Sequence, residues 1–151
     1  MQFGIVTVED NRVGPLYKHV FPPCLAPWIS FVGLPNKVIA FLTAELQSKW
    51  IAQVLSGKVL LPEEEEMMAS VEEFYQRMEE MGRPKHYTHM LDMDAFEYKN
   101  WVAAQVGLPP VEEWMKQMYS AAVKNIRSHQ EGFRDEWDDD YWKSIIRNQP
   151  N

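Results

Sequence analysis

A mainly α-helical chain with a short β-rich N-terminal part is what these 151 residues predict, on three observations. Pro15, Pro22, Pro23, Pro27 and Pro35 crowd into the beginning, where strands and turns tolerate them better than helices do. From Thr43 onward the apolar residues recur at helical spacing. Charge shifts as well: residues 1–61 carry five basic and three acidic side chains, and residues 62–151 carry ten and nineteen. The organisation is therefore read as 1–61, strands with a loop and a closing helix, followed by 62–151, an acidic helical region.

Gly4 to Val8 (GIVTV) is short and β-branched, and Glu9, Asp10 and Asn11 supply turn chemistry after it. Ile29 to Gly33 (ISFVG), bounded by Pro27 and Pro35, has the pattern of a strand buried on both faces. Leu46, Trp50 and Val54, with Ile51 and Leu55 beside them, line one side of a helix that Gly57 ends. Pro62 and Glu63 to Glu66 suit a helix N-terminus, and Met67, Val71, Phe74, Met78 and Met81 form the apolar stripe that follows. Asp94 with Glu97 reads as a capping box opening a helix that runs through Tyr98 and Val102 to Gly107. A further helix from Pro110 carries Val111, Trp114, Met115, Met118 and Ala122, and a last one presents Tyr141, Trp142, Ile145 and Ile146. Gly57, Gly82, Gly107 and Gly132 are evenly spaced, but the segments between them do not match, so shared helix ends explain the period.

Hydrophobic residues at 46% and charged residues at 25% are ordinary for a folded globular chain, and the net charge of −7 argues against a nucleic-acid partner. A lone cysteine, Cys24, and a start without a signal-peptide pattern lead us to expect a cytoplasmic protein. The apolar window Leu25 to Leu42 is interrupted by Pro27, Gly33, Pro35, Asn36 and Lys37, so it is not read as a membrane span.

Chemistry-bearing patterns are few. The seven glycines form no GxG, which excludes a dinucleotide fingerprint or a phosphate-binding loop within this chain. His86 and His89 with Asp92 and Asp94 could ligate a metal if they converged, but a loop beside Pro84 is the plainer reading. Asp138, Asp139 and Asp140 lack the rest of a calcium loop and read as helix capping. Glu112 and Glu113, adjacent on a helix, cannot face one substrate atom, and Cys24 has no activating base nearby in sequence. No catalytic or metal residue is assigned.

The stretches NRVGPLYKHVFPP (Asn11 to Pro23), ELQSKWIAQVLSG (Glu45 to Gly57), LPEEEEMM, KHYTH, FEYKNWVAAQ, EEWMKQM and FRDEWDDD keep one order and spacing. In them the chain closely resembles flavin-containing monooxygenases of the plant glucosinolate S-oxygenase type, from about Gly4 to about Tyr141. It departs at Cys24, where family members tend to carry alanine, and at Ala40 to Ala44.

What it resembles is the C-terminal third of such an enzyme, so the fold expected is a fragment of an α/β, Rossmann-like monooxygenase that binds FAD and NADPH. Full-length relatives would use NADPH to reduce FAD and would oxygenate soft sulfur or nitrogen nucleophiles, with the flavin carrying the chemistry. The family's cofactor fingerprints lie outside the resemblance, so neither cofactor is expected to bind this chain tightly, and the chain alone is expected to be inert. By the same resemblance ISFVG is the closing strand of the FAD domain, and Leu34 to Phe41 borders the flavin or substrate channel, with Gly33 and Gln47 nearest. The competing reading is a non-catalytic acidic helical module that self-associates or docks on a full-length relative.

Overall fold

A computed structural model describes residues 6–128, 132, 135 and 137–148, Met93 by its backbone alone. The chain divides into two compact units, Met1–Pro109 and Pro110–Asn151. The compositional boundary near Leu61 falls inside the first of them, between α-helices at Ala40–Leu55 and Glu64–Glu80.

The first unit opens on a hairpin, β1 (Thr7–Glu9) against β2 (Arg12–Gly14), with Thr7 opposite Gly14, Val8 opposite Val13 and Glu9 opposite Arg12. Asp10 and Asn11 make the turn at φ 47° and 59°, the left-handed pair that a two-residue hairpin demands and that Asp and Asn tolerate. The turn falls where the sequence places it, but the chain returns at once as a second strand that the sequence does not signal. Gly4 and Ile5 of the expected first strand lie outside the described residues.

Three helices follow: α1 (Ala40–Leu55), α2 (Glu64–Glu80) and α3 (Ala95–Gln105). Leu46, Trp50, Ile51 and Val54 of α1 face the core as their spacing requires, whereas Leu55 is exposed. Past α1, Gly57 at φ 73° lets its N–H bond Val54 O while Lys58 N–H reaches back to Gln53 O, a left-handed closure with no Cβ to obstruct it. Gly82 and Gly107 close α2 and α3 with the same pair of bonds. Helix α2 buries Met67, Val71 and Met78 and leaves Met81 exposed, because Met81 already lies in the closing turn. The core gathers Tyr17, Val20, Phe21, Trp50, Met67 and Val102, with the Phe21 and Trp101 rings edge-on to Trp50 at 5.0 and 5.2 Å. Beside it the Arg12 guanidinium lies 3.9 Å from the centre of the Tyr75 ring, and a Cβ at Gly14 would run into the Tyr75 hydroxyl.

Two local expectations are corrected. Ile29 to Gly33 is not a strand buried on both faces: it is irregular, and Ile29 and Val32 are about half exposed. A strand is a pairing, and among the described residues this stretch has no strand beside it. Phe31 N–H turns instead to Val20 O at 2.8 Å. Asp94 is no capping box either, because Asp92–Asp94 forms a 3-10 turn running directly into α3, and Asp94 has helical φ and ψ with no side-chain cap bond. Its carboxylate faces Arg83 at 4.0 Å instead.

The second unit contains α4 (Glu113–Ser128) and α5 (Asp139–Arg147). Asp138 caps α5 by accepting the Tyr141 N–H at 2.8 Å, which bears out the capping role of the aspartate run. Trp142 is buried and stacks on Trp137 at 5.6 Å, whereas no residue of α4 is buried. Among the described residues no helix is long and apolar enough to cross a membrane.

Candidate functional site

Gly33 and Gln47, the two positions nearest the expected channel, are bonded to each other. Gln47 projects from the core face of α1, fully buried, because it sits one turn before Ile51 and two before Val54. Its Oε1 accepts the Gly33 N–H at 2.9 Å, and its Nε2 donates to Tyr98 Oη of α3 at 2.7 Å. Tyr98 in turn donates to Lys18 O at 2.9 Å. Each polar group of the side chains is thus used by a neighbour, which is what burial of an amide and a phenol requires. Burial pushes the Tyr98 phenol far above its ordinary value, against a smaller opposing pull from the Gln47 bond, so it stays a donor.

This chain of bonds fixes where the loop after Gly33 begins, and a second clamp fixes its middle. Asn36 N–H bonds His89 O at 2.8 Å and Leu91 N–H bonds Asn36 O at 3.1 Å. At its far end Thr43 N and Oγ1 both donate to Ile39 O, at 3.0 and 2.9 Å. The backbone is therefore held at Gly33, Asn36 and Thr43 while two nearby rings stay open to solvent, Trp28 at 85% and Phe41 at 92% exposed. Tyr98→Phe should leave Gln47 Nε2 and Lys18 O without their partner and cost about 1–2 kcal/mol. Urea melts give that value, and faster amide exchange at Gly33 would report the loosened loop.

Beside Tyr98 lies a pair the sequence does not announce. Lys18 and His19 both adopt left-handed φ, 49° and 63°, in a tight turn held by Tyr17 N–H to Phe21 O at 2.7 Å and Phe21 N–H to Tyr17 O at 3.1 Å. The turn drives His19 inward, where its Nδ1 meets His89 Nδ1 at 3.0 Å and its ring stands edge-on to Phe74 and Tyr98. His89 Nε2 rests against Val13, 3.1 Å from the N and 3.2 Å from the O. Burial first, then the neighbouring His89, Lys18 and Arg83, drive His19 down to about 3. His89 is lowered chiefly by burial, with Arg12 adding and the Val13 bond opposing. Both rings are therefore neutral near pH 7. A signal for this contact, 70 residues apart in sequence, exists only in the fold.

The remaining candidates disperse. His86 points to Asp10 Oδ2 at 3.1 Å on the surface while His89 points inward, so the two do not converge on a metal. Among the described residues no group of three or more His, Cys, Asp or Glu side chains is placed to share one. Glu113 pairs with Lys116 at 3.3 Å and Glu112 accepts from Trp114 Nε1, so they serve the first turn of α4. Cys24 is half-buried in the 3-10 turn Pro23–Leu25. Lys99 is buried with its Nζ 4.0 Å from the centre of the Phe96 ring, and burial lowers its ammonium to about 8.

Comparison with known proteins places these features in context. A family model described as flavin-binding monooxygenase-like matches residues 1–121. The chain is 55% identical over 136 residues to flavin-containing monooxygenase FMO GS-OX-like 5 of Arabidopsis thaliana, and equally to FMO GS-OX-like 3 of the same plant. Each match covers 90% of this chain and 30% of the relative, so the chain spans about a third of the length of the curated relatives it matches. Among solved structures, S-allyl-L-cysteine S-oxygenase from Allium sativum superposes with a TM-score of 0.90 at 54% identity, over 95% of this chain and 33% of that one.

Proposed function

The chain belongs to the flavin-binding monooxygenase-like family, and on that premise we propose that it forms the C-terminal third of the machinery of a flavin-dependent monooxygenase acting on soft sulfur or nitrogen nucleophiles. In this reading Leu34 to Phe41 with α1 borders the channel, and the Gln47 and Tyr98 bonds hold that border in place. FAD reduced by NADPH supplies the oxygen-activating chemistry in such enzymes. The names of the plant relatives, S-oxygenases among them, favour a small sulfur-containing substrate.

The residues of this chain do not fit FAD or NADPH by themselves. A pyrophosphate is held where closely spaced glycines open a helix N-terminus, and here no two glycines share a GxG. Helix α1 begins from Ile39 and α2 from Glu63, neither preceded by such a turn. Three glutamates fill the first turn of α2, which repels an anion. No step of flavin chemistry is therefore assigned to these side chains, and residues 1–151 alone should be inert. The exposed Trp28, Ile29, Val32 and Phe41 supply an apolar surface on which further polypeptide, a second copy or a full-length relative, would pack.

The test is NADPH oxidation in a mixture of the chain, FAD and a dialkyl sulfide, set against free FAD with no protein. Equal rates with and without the chain are expected. Sulfide-dependent NADPH consumption above the free-flavin rate would overturn the reading.

A further inference from the structure

Within the first unit, α2, α3, residues 16–19 and residues 83–94 enclose a cleft of about 320 Å³. His19 is in its wall and more than nine-tenths buried. Its Nδ1 is engaged with His89, which does not line the cleft, so Nε2 is the nitrogen left for the cleft. That Nε2 makes no hydrogen bond among the described residues, so it is open to an occupant of the cleft.

The proton on this nitrogen is coupled to the hairpin. With Glu9 and Arg12 closing a two-residue turn, Val8 and Val13 form the pair that exchanges no hydrogen bonds, so the Val13 N–H and C=O point away from β1. His89 Nε2 lies against both and can serve one. When His89 accepts from Val13 N–H it donates from Nδ1 to His19 Nδ1, and when it donates to Val13 O the two rings exchange roles. In the first arrangement His19 carries its own proton on Nε2, as a donor facing the cleft.

The charges around the opening are unequal in how they are used. Arg77 is tied to Glu73 at 3.3 Å, and Arg83 to Met90 O and to Asp94. Lys18 sits with Nζ 4.9 Å from the centre of the Trp101 ring and makes no ion pair among the described residues. Leu16, Val71, Phe74, Met81 and Leu91 supply the apolar remainder.

We propose that this cleft binds a small carboxylate on an apolar body, the carboxylate taking the His19 Nε2–H and the Lys18 ammonium, the body lying against Phe74 and Met81. The site is separate from the flavin reading and does not depend on it. Glu97, also in the wall and without an ion pair among the described residues, distinguishes two sources of that chemistry. It favours an α-amino acid, whose ammonium it would meet, over a simple organic acid.

Calorimetric titration of the chain with 3-phenylpropionate, L-phenylalanine and the isosteric 3-phenyl-1-propanol tests this. At least one of the two carboxylates should bind about tenfold or more tightly than the alcohol, as loss of a charge-assisted bond implies. Tighter L-phenylalanine binding that Glu97→Gln abolishes would identify the amino-acid source, and tighter 3-phenylpropionate binding the simple acid. Lys18→Gln should weaken either about tenfold. Because Lys18 has a left-handed backbone, ring nitrogen-15 shifts of His19 in the unaltered chain are the second readout, and they should move on titration. Carboxylates that bind no better than the alcohol, an unchanged affinity in Lys18→Gln, or a silent His19 ring would each overturn the proposal.

Discussion

Truncating Trp50 to alanine should destabilise the first unit by about 3–5 kcal/mol, the range for deleting a buried aromatic ring. Its ring is 1% exposed and meets Tyr17, Phe21 and Trp101 at 6.1, 5.0 and 5.2 Å, so its removal empties the point where α1, the 17–21 turn and α3 come together. Surrounding rings held in their own contacts cannot collapse into such a space cheaply. Trp50→Phe should cost far less than the alanine change. The indole Nε1 is buried with no hydrogen-bond partner among the described residues, and phenylalanine removes that orphaned donor along with some of the packing. Urea midpoints for the two variants decide it, and a Phe variant as damaged as the Ala variant would mean that the indole nitrogen has a partner.

Acid should unfold the same unit through the histidine pair. His19 has a pKa of about 3 in the folded chain against 6.5 for a free histidine. Between these values the unfolded state binds the proton and the folded state does not. Stability is therefore fully present above about pH 6.5, falls as pH is lowered, and stops responding to this group near pH 3. The slope is up to about 1.4 kcal/mol per pH unit for each proton, and His89, lowered in the same direction, adds to it. The charges that face the pair are Lys18, Arg83 and Arg12, all cations that add to the burial, and the Val13 bond to His89 opposes it in part. His19→Asn isolates the effect, since asparagine tolerates the left-handed φ and can place an amide where Nδ1 stood. Urea midpoints at pH 7 and 4.5 should differ much less in the variant. Parallel pH profiles would show that His19 titrates normally.

Where a stretch answers to its own periodicity, the sequence is a sufficient guide. The four-residue spacing of Leu46, Trp50 and Val54 leads to α1 and its buried face, and Met67, Val71 and Met78 do the same for α2. Ile29 to Gly33 has the composition of a buried strand, but a strand requires a neighbour, and composition carries no information about whether one is present. Asp94 and Glu97 have capping-box spacing, yet Asp92–Asp94 already turns as 3-10 helix, leaving Asp94 no extended conformation from which its side chain could cap. Gly33 and Gln47 emerge through family resemblance as the positions nearest the expected channel, while their bond to each other and its continuation to Tyr98 and Lys18 depend on how three elements cross. His19 and His89 lie furthest from legibility: each sits in an ordinary loop, and only packing makes them a pair.

The function proposed for the family machinery turns on where the flavin is held. Purified chain incubated with excess FAD and passed through gel filtration, with absorbance followed at the flavin and protein bands, measures this directly. Protein eluting free of flavin is the outcome expected if the pyrophosphate cradle lies outside these 151 residues. Co-elution of one FAD per chain would contradict it, and would mean that these residues build a flavin site without closely spaced glycines.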